Sequence, residues 1–404
     1  MARLQATFGG SQPSTFGGGS SFFSLAIQGV ILSELKLFIP GPTWIRPEIR
    51  KAGSYPEFGH RDKQAVEIIS NILMNLEHIA ELPAAYQATL INGSGSNAME
   101  CAVRSLVAET DRVLCICVGA FGELFQTLAT GFNAHVERLD FTPGAGIDLD
   151  ILKSVLDKGS FDVVTLTHNE SSTGVATDIV QVCELIRMHG ALAIVDGVSL
   201  FAGAPTCIAQ ALPAAYVTAT QKCLALPPGF GIAFVNEAAL AKAQTIKNRV
   251  YTLDLLRHVD MARQGQTLTT PNCTLLNQMH VQLDYIVNQE GLQARFARHR
   301  KQQNDVRAWV RARPERFRLF TEDADASPSL TSLYVDSRLD LSRTKALMRE
   351  AGYLIDTGYG KLNKRLMAES GQVMMRIPHM GDISDQMLGS FLNALDNFTG
   401  DLAR

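Results

Sequence analysis

Lys222 sits in Thr218-Ala219-Thr220-Gln221-Lys222-Cys223-Leu224-Ala225-Leu226-Pro227-Pro228-Gly229, after a small, polar run and before a Pro-Pro-Gly loop. Asp196 lies 26 positions upstream (222 − 196), where it ends the apolar run Ala191-Leu192-Ala193-Ile194-Val195. A lysine amine can form a Schiff base with a carbonyl, and an acid at the end of a buried strand can keep a ring nitrogen protonated. A cofactor with both a carbonyl and a pyridine ring needs that pair. Most lysines are solvated surface groups, so the reading depends on what else the chain places around Lys222.

Four further clusters bear on it. Gly93-Ser94-Gly95-Ser96 follows a strand-like run and opens a helix-like one. Backbone N–H groups at a helix N-terminus, helped by hydroxyls, bind phosphate; the plain alternative is a helix cap. Gly93-x-Gly95-x-x-Ala98 also fits the dinucleotide fingerprint, which requires an acid ending the second strand about 20 residues on. Asp111 is near that distance but precedes the strand instead of ending it. Phe121, in Val118-Gly119-Ala120-Phe121-Gly122, is either a core aromatic or a ring stacked on a cofactor. Thr167-His168-Asn169-Glu170-Ser171-Ser172-Thr173-Gly174 reads as a solvated turn or a functional loop, its polarity arguing against a place in the core. Arg376, inside the apolar run Val373–Ile377, is costly unless paired. It is either a structural ion pair or a bidentate carboxylate receptor.

Short apolar strands must position these groups. Ala88–Ile91, Arg112–Val118, Ala134–Leu139, Val163–Leu166, Ala191–Val195 and Gly231–Val235 read as strands. Gln64–Leu82, Ala98–Ala108, Glu123–Thr130, Ile147–Lys158 and Asp178–His189 read as helices between them. This pattern predicts an α/β fold with a mostly parallel sheet covered on both faces, whose strand ends carry the ligand. After about residue 285 the pattern changes to a charged helix, Leu292–Ala312, then strands Leu330–Val335 and Val373–Ile377 and helices Ser342–Ala351 and Ser384–Asn397. We expect a smaller C-terminal α+β domain over 286–404. Residues 33–285 then form an N-terminal arm and a large cofactor-binding domain. Residues 1–32, rich in Gly, Ser and Phe, are expected to be a disordered or non-native leader, with translation starting at Leu32.

Composition narrows the function. A formal charge of −3 argues against a nucleic-acid or polybasic membrane surface. No apolar run is long enough to span a bilayer. The seven cysteines form no Cys-x-x-Cys pair and read as small core residues in a reducing compartment, hence a cytoplasmic protein without a metal site.

In order along the chain, these motifs resemble the class V aminotransferases of the fold-type I pyridoxal phosphate enzymes. The alanine–glyoxylate and serine–pyruvate or serine–glyoxylate group is the most similar. Pro40-Gly41-Pro42-Thr43, Gly93–Ser96 with Ala98 and Glu100, Thr167–Val175, Val195–Ser199, Gln221–Leu224 and Arg376–Gly381 carry the resemblance, from Phe38 to about Asp382. It implies a seven-stranded-type sheet and pyridoxal 5'-phosphate on Lys222, with Asp196 at the pyridine nitrogen. It further implies Ser94, Gly95, Ser96 and Gln221 on the phosphate, Phe121 stacked on the ring and Ser171 near its substituents. Arg376, with Gly41, binds substrate. Thr269 and Thr270 reach the phosphate of a partner subunit, which implies a homodimer with shared active sites. The implied reaction moves an amino group from alanine or serine to glyoxylate or pyruvate by a ping-pong mechanism. Three positions depart from the family. Phe121 replaces a frequent Trp or Tyr, the run after Asp196 carries Gly197 and the bulky Leu200-Phe201, and Gln266 stands where relatives have an aromatic hydroxyl. A 2-aminoethylphosphonate aminotransferase, a lyase on the same fold and, remotely, a dinucleotide-dependent oxidoreductase are the alternatives. A desulfurase would need a mobile-loop cysteine, and none follows Cys273.

Overall fold

A computed structural model describes residues 35–400 and the backbone of two short antiparallel strands, Ala26–Ile27 and Val30–Ile31. The rest of the expected leader, 1–32, lies outside the described residues. From Lys36 onward the chain is one compact unit.

Seven strands build the central sheet: β1 Tyr86–Gly93, β2 Val113–Cys117, β3 Val136–Asp140, β4 Val163–Thr167, β5 Leu192–Asp196, β6 Ala215–Ala219 and β7 Gly229–Asn236. Their order is β1-β7-β6-β5-β4-β2-β3. All neighbours pair in parallel except β7, which is antiparallel to both β6 and β1. The expected mostly parallel sheet is therefore present, and both faces are covered. Ile72, Leu76, Leu166, Val195 and Phe230 belong to the core on one side; Met99, Phe125, Ile194 and Val217 belong to the other. Strand β6 escapes a periodicity reading, because its strand formers Tyr216-Val217-Thr218 make only a short run among alanines, with no alternation. It is nonetheless fully buried, and it leads directly to Lys222.

The C-terminal region has its own antiparallel sheet of β8 Phe317–Leu319, β9 Leu330–Val335 and β10 Val373–Pro378. The helices Leu292–Arg311, Leu341–Glu350 and Asp385–Gly400 pack around it. Its core includes a residue from far upstream. Lys36–Phe38 pairs in parallel with Tyr353–Ile355, and Phe38 stacks on Phe391 with ring centroids 3.9 Å apart. The helix Gly360–Ser370 was not anticipated; its sequence is polar and only Leu366 is buried.

A buried ionic knot joins the two regions. Arg295 is completely buried and contacts Glu290 at 2.6 Å and Asp382 at 2.9 Å. It also donates to the carbonyls of Ala202, at 2.9 Å, and Cys223, next to Lys222. Asp382 in turn accepts from Arg46 at 2.7 Å and Gln282 at 2.9 Å. Removing one member of a buried ion set leaves uncompensated charge, at a cost of about 3 kcal/mol or more. Arg295→Ala is therefore expected to lower the urea midpoint strongly, and a wild-type unfolding curve would contradict the role given to this knot.

Candidate active site

The clusters meet at the carboxyl ends of the central strands. Asp196 ends β5 and is 2% exposed. One carboxylate oxygen accepts from the Val198 N–H at 2.8 Å. Among the described residues no cation is hydrogen-bonded to it. Burial, reinforced by the nearby Glu170, pushes its carboxyl up to about 7. Lys222 follows β6 on a loop closed by the Ala225 N–H donating to the Lys222 carbonyl at 2.8 Å. Ala225 sits in the left-handed region at φ 55°, a local strain of the kind stored at functional loops. The Lys222 side chain keeps some contact with the cleft but is surrounded by protein. That enclosure, with Arg376 nearby, lowers its pKa to about 8. Its amine donates to the Pro40 carbonyl. Gly41, at φ 129°, is pressed against it: a Cβ there would lie 2.8 Å from the amine.

The expected phosphate loop opens the helix Gly95–Leu106 at the end of β1. Ser94 is its N-cap, with its N–H donating to Asn97 Oδ1 at 2.8 Å. Gly95 has no room for a side chain, since a Cβ would lie 2.7 Å from Val198, two residues past Asp196. Gln221 carries a buried side-chain oxygen, Oε1, without a hydrogen-bond partner. Thr269 Oγ1 and the Thr270 carbonyl both accept from Asn92 Nδ2 at 2.7 Å, beside the phosphate loop. Asp111, the acid at the dinucleotide-fingerprint distance, is committed elsewhere. It caps Ala108 at 2.8 Å and pairs with Lys242 at 2.7 Å.

The loop after β4 overturns an expectation. Residues Thr167–Thr173 are all at most 6% exposed, so this polar run is core after all. Internal hydrogen bonds make that affordable. Asn169 donates to Ser199 Oγ at 2.8 Å and to Ser329 Oγ at 3.0 Å. Glu170 accepts from the N–H groups of Phe121 and Ser172, each at 2.9 Å. A carboxylate at the N-terminus of the helix Ala120–Thr130 also matches the helix dipole. Glu170 thus anchors the turn that presents Phe121, a role the sequence reading did not assign.

Arg376, in β10, is 8% exposed. It pairs with both oxygens of Asp356, at 2.9 and 2.8 Å, and donates to the Ser171 carbonyl at 2.7 Å. Three of its five N–H groups are used, leaving one on each terminal nitrogen. Asp356 was missed by sequence reading. The signal was the arginine itself, since a buried guanidinium demands an acid, but only the fold reveals which acid.

The chain matches the family described as aminotransferase class-V over residues 51–376. It belongs to the class V aminotransferases. The aminotransferase is 30% identical over 348 residues to an uncharacterized aminotransferase of Methanocaldococcus jannaschii, covering 85% of this chain and 87% of that protein. It is 29% identical to the serine–glyoxylate aminotransferase of Hyphomicrobium methylovorum, over 89% of this chain and 88% of the other. Ureidoglycine–glyoxylate aminotransferase from Bacillus subtilis shares its fold, with a TM-score of 0.85 at 24% identity, over 93% of this chain and 96% of that one.

Membership in this family implies pyridoxal phosphate, and the residues fit it. A buried acid without a bound cation suits a pyridine N–H. An enclosed amine suits a carbonyl, and a helix N-terminus capped by Ser94 suits a phosphate. Gly197 shows how closely the acid is packed: a Cβ there would lie 1.9 Å from the Tyr216 hydroxyl. Tyr216 is fully buried, with its hydroxyl 3.1 Å from His168 Nδ1.

Two outcomes follow. The folded pKa of Asp196 lies above its unfolded value, so the buried charge destabilises the cofactor-free protein above about pH 7, and the penalty disappears as pH falls below about 4. Asp196→Asn keeps the acceptor for Val198 but removes the charge. It should raise the denaturation midpoint of cofactor-free protein at pH 8, with the gain shrinking toward pH 4. A gain that does not vary with pH would contradict this origin. Gly197→Ala should cost about 1–3 kcal/mol through overpacking, and that cost should largely vanish when the change is made in a Tyr216→Thr background. Additive losses in the double variant would show that the two positions do not share that space.

Proposed function

We propose that this aminotransferase carries pyridoxal 5'-phosphate on Lys222 and transfers an amino group from a small amino acid, alanine or serine, to glyoxylate or pyruvate in ping-pong fashion. The observation carrying the proposal is the pairing of Asp196, buried with no bound cation among the described residues, with the low-pKa amine of Lys222 at adjacent strand ends.

When bound, pyridoxal phosphate supplies a carbonyl for the amino group and a ring that accepts electrons from the breaking Cα–H bond. Asp196 holds a proton at the ring nitrogen, and its burial strengthens that pairing. Ser94, Gly95, Ser96 and Gln221 hold the phosphate. Phe121 stacks on the ring and Ser171 stands near its substituents. Lys222 would take the proton from the substrate Cα and deliver it to the cofactor carbon that carries the amino group, as a general base whose pKa lies close to working pH. Arg376, held in place by Asp356, has two N–H groups left for the substrate carboxylate. Fixing the carboxylate sets the orientation of the Cα–H bond. Gly41 lets the backbone approach the lysine closely. Thr269 and Thr270 are assigned to the phosphate of a second copy, in a homodimer with shared active sites. All seven cysteines are free, which supports a reducing, cytoplasmic setting. Among the described residues no helix is long and apolar enough to cross a membrane.

A half-reaction screen tests the donor. Loss of the cofactor's visible absorbance is expected with alanine or serine, and its return with glyoxylate or pyruvate. A response to 2-aminoethylphosphonate alone would replace the donor class. Lys222→Ala should abolish both the visible absorbance and transamination, and retained turnover would overturn the assignment of this lysine.

A further inference from the structure

The charged helix Leu292–Arg311 divides its cations between two uses. Arg295 and Arg298 turn inward, the first into the buried knot and the second onto Glu290 at 2.6 Å. Lys301 pairs with Asp305 and Asp385 near the surface. Arg300, Asn304, Arg307 and Arg311 follow at i, i+4, i+7 and i+11, and so share another face. That face lines an open cavity of about 710 Å³, which His168, Ala176 and residues of the Leu200–Cys207 loop also line. The volume suits a small molecule. None of the residues assigned above to cofactor or substrate lines it.

The charge in this cavity is unbalanced. Asp323 is the one carboxylate among its lining residues, and it serves two guanidinium groups. Arg307 donates to it at 2.7 Å and Arg311 contacts both of its oxygens at 2.6 Å. Arg307 is itself only 6% exposed and also donates to the Thr321 carbonyl at 2.9 Å. Arg300 has no hydrogen bond or ion pair among the described residues. His168 adds no charge, because burial lowers its pKa to about 4. Three guanidinium groups less one carboxylate leave +2 (3 − 1) facing a concave space. The 34 residues preceding Leu35 hold a single acid, Glu34, so that segment cannot neutralise it.

We propose that this cavity is a binding site for a dianionic small molecule bearing a phosphate monoester, held by the guanidinium forks of Arg300, Arg307 and Arg311. A phosphate ester carries about two negative charges near neutral pH, which matches the unbalanced charge. Its oxygens suit bidentate arginine contacts. The site adjoins the reactive cleft without entering it. His168, in its wall, donates its backbone N–H to the Asp196 carbonyl at 2.8 Å, and the Leu200–Cys207 loop follows directly from the Asp196 turn.

Protein saturated with pyridoxal phosphate is the material to test, because the cofactor's own phosphate loop is then filled. Its visible absorbance reports separately whether the cofactor reading holds. Inorganic phosphate and glycerol phosphate are titrated calorimetrically at constant ionic strength against chloride. Both should bind wild type. Arg300→Ala should weaken them by ~tenfold or more, the loss of one charged hydrogen-bonding group, and Arg300→Lys should fall between. Arg300 has no partner to lose, so the variant should keep the wild-type melting temperature and absorbance. Equal phosphate affinity in wild type and Arg300→Ala would overturn the site, as would no preference for phosphate over chloride.

Discussion

The candidate site is organised around the carboxylate of Asp196, buried at the end of a central strand without a hydrogen-bonded cation among the described residues. In a low-dielectric interior this is unfavourable for the protein alone. The surroundings enforce it regardless. Val198 holds one of the Asp196 oxygens, and Gly197 is seated on Tyr216 with no space between. An unfavourable charge kept in place by rigid packing is a common way to prepare a site for a cationic ligand. Lys222 is the converse case: enclosure favours its neutral amine.

The second constraint is polar burial. Thr167–Thr173 places a run of hydrogen-bonding groups in the interior, and several of them find specific partners there. Asn169 ties the loop to Ser199 beside Asp196 and to Ser329 in the C-terminal region. Glu170 ties it to the helix that carries Phe121. The Ser171 carbonyl ties it to Arg376. One loop therefore sets the relative position of Asp196, Phe121 and Arg376. The arginine knot at Arg295 does the same for the backbone beside Lys222, through the carbonyl of Cys223.

The C-terminal region is less independent than its own sheet suggests. Phe38, from the N-terminal arm, completes its core. Arg46, a few residues later, pairs with Asp382. The arm thus passes Gly41 across Lys222 on its way between the two, so the lysine's surroundings come from segments far apart in the chain. The helix Leu292–Arg311 links the regions again, with one face in the knot and another lining the cationic cavity.

Much of this was legible from sequence because the physics involved is local. Continuous apolar runs separated by helical spacing signal a covered parallel sheet, and polar residues at the ends of such runs mark where a ligand can bind. Lys222, Asp196, Gly93–Ser96 and Arg376 stood out for that reason. Strand β6 did not, since its strand-forming run is only three residues long and its pairing between β5 and β7 is set by the sheet. The polar loop looked solvated because sequence shows the cost of burying hydroxyls and amides but not the partners that repay it. Asp356, Glu170 and the pairing of Gly197 with Tyr216 were invisible for the same reason: each is a contact between segments distant in the chain. The sequence by itself determined which groups exist and at which strand ends they lie, because propensity and periodicity act over a few residues. Only the tertiary structure decided which charges are paired and which are left over, because burial and Coulomb interaction depend on distance in space, not on separation along the chain.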